Sequence, residues 1–142
     1  MSLLVLLGAL IPLAARADET PVPAEQLPAP AKEFVKTHFP SQKVALVMYD
    51  KGWVKSVYET TLSDGTEIDF SEKGEWLEIE MKGRKGMPAS VLPEPIQKFL
   101  QEKHKEAKIE EAAKKRYGYK IELYGEVEIR FDKEGKFLGY DD

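Results

Sequence analysis

The chain has 142 residues, 42% of them hydrophobic, with no cysteine and a formal net charge of −4. That length suits one ordinary domain able to bury roughly two-thirds of its unfolded surface. The missing cysteines exclude disulfides, thiolate metal sites, a Cys nucleophile and a lipidated Cys anchor, and the acidic surplus argues against nucleic acid as a main partner.

The chain opens on an apolar run from Leu3 to Leu13, followed by Ala15-Arg16-Ala17. A run of this length ending in small-x-small predicts a secretory signal over 1–17, cleaved after Ala17. It is shorter than the roughly 20 apolar residues a membrane-spanning helix needs. Loss of Arg16 with the signal takes the formal charge from −4 to −5. Residues 18–26 are acidic and carry Pro21 and Pro23 with no periodic apolar face, which predicts a mobile leader.

From Leu27 the sequence repeats itself. Leu27-Pro28-Ala29-Pro30 recurs as Leu92-Pro93-Glu94-Pro95, and Ala31, Phe34 and Val35 return as Ile96, Phe99 and Leu100. Apolar residues at i, i+4, i+7 and i+8 form one face of an amphipathic helix. Proline suits a helix's first turn, where the N–H groups have no intrahelical partner. Pro40 closes the first helix. Beyond it, Tyr58-Glu59-Thr60-Thr61-Leu62 matches Tyr119-Lys120-Ile121-Glu122-Leu123, and Glu67-Ile68-Asp69-Phe70 matches Glu128-Ile129-Arg130-Phe131. The alternation in these segments is that of half-buried strands, and Asp64-Gly65 is a tight-hairpin signal. Gly74 and Gly135 mark the next turn in each copy. Strands joined by such short turns run antiparallel.

The segment from Glu106 to Arg116 is rich in Ala, Glu and Lys, so propensity alone favours helix. The repeat instead sets Lys108-Ile109 against Lys43-Val44, which open an apolar strand, and predicts a strand over 107–115. Lys82 to Gly86 reads as a flexible basic connector. The expected organisation is therefore a first repeat over 27–83, a connector over 84–91 and a second repeat over 92–142. The fold class is α+β: two tandem repeats of one helix plus a four-stranded antiparallel sheet, with the helices on one face and the other face open.

The Leu-Pro-x-Pro helix starts, the Tyr-Glu-x-x-Leu-x-x-Gly strand pair at 58–65 and Phe-Asp-Lys-Glu-Gly-Lys-Phe at 131–137 resemble the bacterial PepSY-like proteins, also described as β-lactamase-inhibitor-protein-like. The resemblance covers the chain from about Leu27 onward. It implies a periplasmic or secreted protein of tandem helix-plus-sheet units. It also implies a module that binds or inhibits a protein or peptide such as a protease, and it supplies no catalytic residue. Fold likeness by itself does not fix function.

The residues agree with a binding protein that has no cofactor. Neither G-x-S-x-G nor H-E-x-x-H occurs, and no glycine loop suited to phosphate is present. His38 and His104 fall at helix ends, where positive charge is mildly favoured. Glu59, Glu67, Asp69, Glu78 and Glu80 occupy outward strand positions. They read either as a solvated face or as oxygen ligands for Ca²⁺, which makes a metal-ion or small-ligand binder the alternative function. The basic residues gather instead at Lys82 to Lys85 and Lys114 to Arg116, an asymmetry able to steer a charged partner. The candidate partner contacts are aromatic, because Trp and Tyr dominate binding hot spots. Tyr49 and Trp53 sit on a first hairpin four residues longer than its repeat counterpart. Trp76 is in phase with Glu78 and Glu80, and Tyr124 is out of phase with Ile121 and Leu123, which predicts both on the open face. The same rings can alternatively cover the sheet or fill the seam between the copies.

Overall fold

The computed structural model describes residues 18–141. The predicted signal and its cleavage site lie outside the described residues. In chain order the elements are β1 (Glu19–Pro21), α1 (Ala29–His38), β2 (Val44–Asp50), β3 (Val57–Leu62), β4 (Glu67–Ser71), β5 (Trp76–Glu80), α2 (Glu94–Lys103), β6 (Ile109–Lys115), β7 (Gly118–Leu123), β8 (Val127–Asp132) and β9 (Phe137–Asp141). Short 3-10 turns at Ala24–Gln26 and Ala89–Val91 lead into the helices. All the strands join one sheet in sequence order, β1 to β9, and each neighbouring pair is antiparallel. Pairing of β5 with β6 makes a single continuous sheet of what the sequence suggests as two.

The two helices begin alike. Pro28 and Pro93 take the N-cap positions, and Pro30 and Pro95 sit in the first turns. At the C-terminal ends the N–H groups of Phe39 and His104 return to the carbonyls of Val35 and Leu100. The turn before β5 and the turn before β9 each hold a glycine at φ +87°. A Cβ on Gly74 would come within 3.0 Å of the Ala31 nitrogen and the Pro30 side chain, and one on Gly135 within 3.1 Å of Pro95. Both turns tuck under a helix start, and only glycine fits the backbone angle and the space together.

The helix-facing layer is a cross-strand row. Val47, Thr60, Ile68, Ile79, Ala112, Ile121 and Ile129 pair in succession from β2 to β8 and are all buried. Phe34 of α1 meets Phe70 edge-on at 5.7 Å, and Phe99 of α2 meets Phe131 at 5.3 Å. Each helix thus covers its own stretch of one core. The expected strand around Ala107–Lys115 is present as β6, beginning at Ile109. Ala112 and Ala113 are buried there, so tertiary pairing overrides the helical preference of the Ala-Glu-Lys composition.

The leader differs from its expectation. Glu19–Pro21 is a strand rather than a mobile tail: Pro21 pairs with Met48, the Val22 N–H donates to the Val47 carbonyl at 3.0 Å, and Val22 and Ala24 pack on the core. Proline is tolerated because β1 is an edge strand, where a missing N–H breaks no ladder. Three residues are too few to show a period in sequence.

Candidate binding surface

The face of the sheet away from the helices is assembled by register alone. Thr61, Glu67, Glu80, Glu111, Glu122, Glu128 and Asp141 pair in succession across β3 to β9, so every position in this row from β4 onward is acidic. The adjacent row runs Met48, Glu59, Asp69, Glu78, Ala113, Lys120, Arg130, Gly139. The outward carboxylates expected from the first repeat do lie side by side. Glu111, Glu122 and Glu128 extend them, and the sequence reading did not single these out. Their signal was present in the repeat, which aligns Glu128 with Glu67 and Glu122 with Thr61.

Like charges placed directly opposite each other destabilise a sheet, and the carboxyl groups share protons in response. Glu78 is pushed up to about 7 by its hydrogen bond with Glu111, by burial and by the charges of Glu111 and Asp69. Glu122 is likewise pushed up to about 7, by its hydrogen bond with Glu111, by burial and by the Glu111 charge. Burial opposes ionisation of Glu111, yet hydrogen bonds from Glu78 and Glu122 and the nearby Lys120 hold it below the usual carboxylate range. The Lys120 ammonium lies 3.6 Å from Glu111. Asp69 is raised by burial and then by Glu67, Asp50 and Glu80. At the β1 end, Glu19, Asp50 and Glu59 each bring one carboxylate oxygen within 4.8 Å of the others.

The aromatic candidates do not converge. Trp53 and Val54, at the tip of the loop between β2 and β3, are fully exposed, and this loop is four residues longer than the one between β6 and β7. Tyr49 faces the helix side, 4.9 Å from Tyr58, and its hydroxyl donates to Glu72 at 2.8 Å. Trp76 corrects the phase argument. It is 7% exposed and belongs to the core. Asp69 pairs with Glu78 but Phe70 pairs with Trp76, leaving Leu77 as an extra bulged residue. A bulge shifts the alternation by one residue, so Trp76 turns inward beside Tyr119, with the Lys114 ammonium 4.5 Å from its ring centre. Tyr124 follows β7 at the opposite end of the sheet from Trp53. It lies under the Arg84 guanidinium at 5.6 Å, and its N–H bonds to the Lys108 carbonyl. Of the four aromatic candidates, Trp53 alone is fully exposed.

Both histidines tie a helix end to a neighbouring element. His38 Nδ1 lies 2.9 Å from Ser90 Oγ, linking the end of α1 to the turn before α2, and His104 Nε2 lies 2.8 Å from the Tyr140 hydroxyl. Among the described residues no helix is long and apolar enough to cross a membrane.

Fold and face together define an α+β protein with one antiparallel meander, two helices on one side and a carboxylate-lined sheet surface on the other. The chain belongs to the PepSY-like family, described as "Putative beta-lactamase-inhibitor-like, PepSY-like", whose sequence profile matches residues 15–64 and again 55–139. Among solved structures it is similar to a protein of Bacteroides thetaiotaomicron described as a "putative calcium-regulated periplasmic protein". The TM-score is 0.82 at 28% identity, covering 89% of this chain and 98% of that one. It is also similar to two Bacteroides vulgatus proteins described as periplasmic. One has a TM-score of 0.81 at 32% identity, over 87% of this chain and 99% of that one. The other has a TM-score of 0.80 at 30% identity, over 88% and 98%. The comparison with curated proteins gave no match.

Proposed function

We propose that this protein is a periplasmic binding module, built of two helix-plus-four-strand units, that takes a cationic peptide or protein segment on its open sheet face. The observation that carries this reading is the unbroken acidic row from Glu67 to Asp141. A surface of like charges held in register at a cost to stability is relieved by a ligand of opposite charge, and electrostatic complementarity also speeds encounter and excludes wrong partners. The exposed Trp53-Val54 tip, flanked by Lys51 and Lys55, lies at the end of the sheet away from the acidic row and offers a second, apolar anchor of the type that dominates hot spots. Tyr49 and Trp76 act from beneath, shaping the sheet rather than touching the partner, and Tyr124 borders the far end of the face. The periplasmic descriptions of its structural relatives support the compartment, and the family's inhibitor-like description supports binding over catalysis.

The test uses an oligo-arginine peptide as probe, with an oligo-glutamate peptide as control. Calorimetry should show binding of the first alone, weakened about tenfold or more by combined Glu80→Gln, Glu111→Gln and Glu122→Gln. Equal binding by the variant would remove the face from the function.

One observation favours a second reading, in which the ligand is Ca²⁺. The grouped oxygens of Glu19, Asp50 and Glu59 are hard donors of the kind Ca²⁺ takes, and the Bacteroides thetaiotaomicron relative is described as calcium-regulated. Calcium heat that disappears in Asp50→Asn, with the oligo-arginine peptide silent, would select this reading over the first.

A further inference from the structure

The sheet ends on two edges that are protected very differently. The β1 edge is three residues long, with Glu19 and Pro21 in it, and a short edge bearing proline and charge resists strand addition. The β9 edge runs Phe137-Leu138-Gly139-Tyr140-Asp141 and, among the described residues, pairs only with β8. It contains no lysine or proline. Phe137, Leu138 and Tyr140 stand 39%, 47% and 48% exposed on it. They are three of the seven large apolar side chains exposed among the described residues.

The internal repeat shows what such an edge is shaped to do. β9 corresponds to β5: Phe137 matches Trp76, Leu138 matches Leu77, and both strands bulge at that residue. In the first half of the chain the far edge of β5 is occupied, because β6 pairs with it through Glu78–Ala113, Ile79–Ala112 and Glu80–Glu111. The Met81 N–H donates to the Glu110 carbonyl across the same seam. Backbone groups alternate along a strand, so Ile79 also points its N–H and C=O at β6. Its counterpart Tyr140 therefore points both outward, into the position a further strand would fill.

Charge selects the occupant. Lys136 stands directly before β9 and Asp141 ends it, so a cation and an anion bracket the strand. Antiparallel pairing of two such strands about the midpoint between Leu138 and Gly139 sets Lys136 of each against Asp141 of the other, while parallel pairing would align like charges. The same pairing brings Phe137 opposite Tyr140, so each of these exposed rings gains an aromatic neighbour. Asp141 already contacts Arg130 at 2.9 Å, which lowers the repulsion between approaching copies at this point. We infer that the β9 edge is a self-complementary interface through which a second copy of this chain adds antiparallel, extending the sheet across a two-fold axis near Gly139. The paired β1 edges would lie at the outer ends, and the isologous contact closes at two copies.

Sedimentation velocity over a concentration series of the purified chain tests this, with thermal melts as the folding control. The wild-type chain should pass from monomer to dimer. Leu138→Lys, which puts a charge on the pairing edge, should raise the dissociation constant by about tenfold or more. Lys136→Glu, an exposed position whose replacement does not disturb the core, should weaken the dimer in the same direction. Tyr140→Phe keeps the ring, loses the hydroxyl bond to His104 and should leave the dimer intact. A chain monomeric throughout the series, or a dimer equally strong in Leu138→Lys and Lys136→Glu, would overturn the inference.

Discussion

The two faces of the sheet are made by the same strands, often by adjacent residues, yet they obey opposite rules. On the helix side Ile68, Ile79, Ile121 and Ile129 are fully buried and mutually paired. One residue further along each strand, the open side holds Asp69, Glu80, Glu122 and Arg130. The inner face is where burial stabilises the fold, and the outer face is where repulsion is tolerated. That row of opposed carboxylates across most of the sheet is the feature on which the proposed binding role rests.

The largest effect that would sharpen this contrast is Phe131→Ala. Phe131 is fully buried under Phe99, so urea denaturation should show a loss of about 3–5 kcal/mol. Trp76→Ala should fall in the same range. A loss below about 1 kcal/mol there would return Trp76 to the open face and undo the bulge argument.

The pH dependence comes next. Glu78 and Glu122 have folded-state pKa values raised to about 7, so the folded form holds their protons more tightly than the unfolded chain does. Their contribution is fully present below the ordinary carboxylate range and is lost as pH rises through 7. Both groups are only half-buried, and solvent screening reduces the combined effect to about 1 kcal/mol, or a Tm lower by about 4 °C at pH 8 than at pH 5.5. The lowered groups Glu111 and Asp64 act in the opposite sense, but only in more acidic solution. A Tm that climbs from pH 5.5 to 8 would contradict the proton-sharing row.

Removing one opposed charge should give a smaller gain. Glu80→Gln breaks two like-charge pairs, with Glu67 and Glu111, and at pH 8 should stabilise the protein by about 0.2–1 kcal/mol in urea. The smallest stability effect belongs to Trp53→Ala. A fully exposed tip residue should shift stability by less than about 0.5 kcal/mol, while partner binding drops measurably in calorimetry.

Much of the fold could be read from residues close in sequence. The Leu-Pro-x-Pro starts announced both helices, and Asp64-Gly65 announced a turn in which Gly65 does take φ +93°. The repeat identified β6 where propensity pointed the other way. Three features escaped because they depend on chain segments far apart. Pairing of Glu19–Pro21 with β2 carries no local period. The bulge at Leu77 is visible only against β4, and without it alternation assigns Trp76 to the wrong face. The acidic row needs Glu80, Glu111, Glu122 and Glu128 from different strands brought into one line. Register makes that site, and register is not written in any single segment.

Mapping amide shifts by NMR while titrating an oligo-arginine peptide tests the central claim most directly. Binding on the open face predicts shifts that track Glu67, Glu80, Glu111, Glu122 and Glu128 and that reach the Trp53 indole, with α1 and α2 silent. Shifts concentrated on the helices, or none at peptide excess, would contradict the assignment of function to this face.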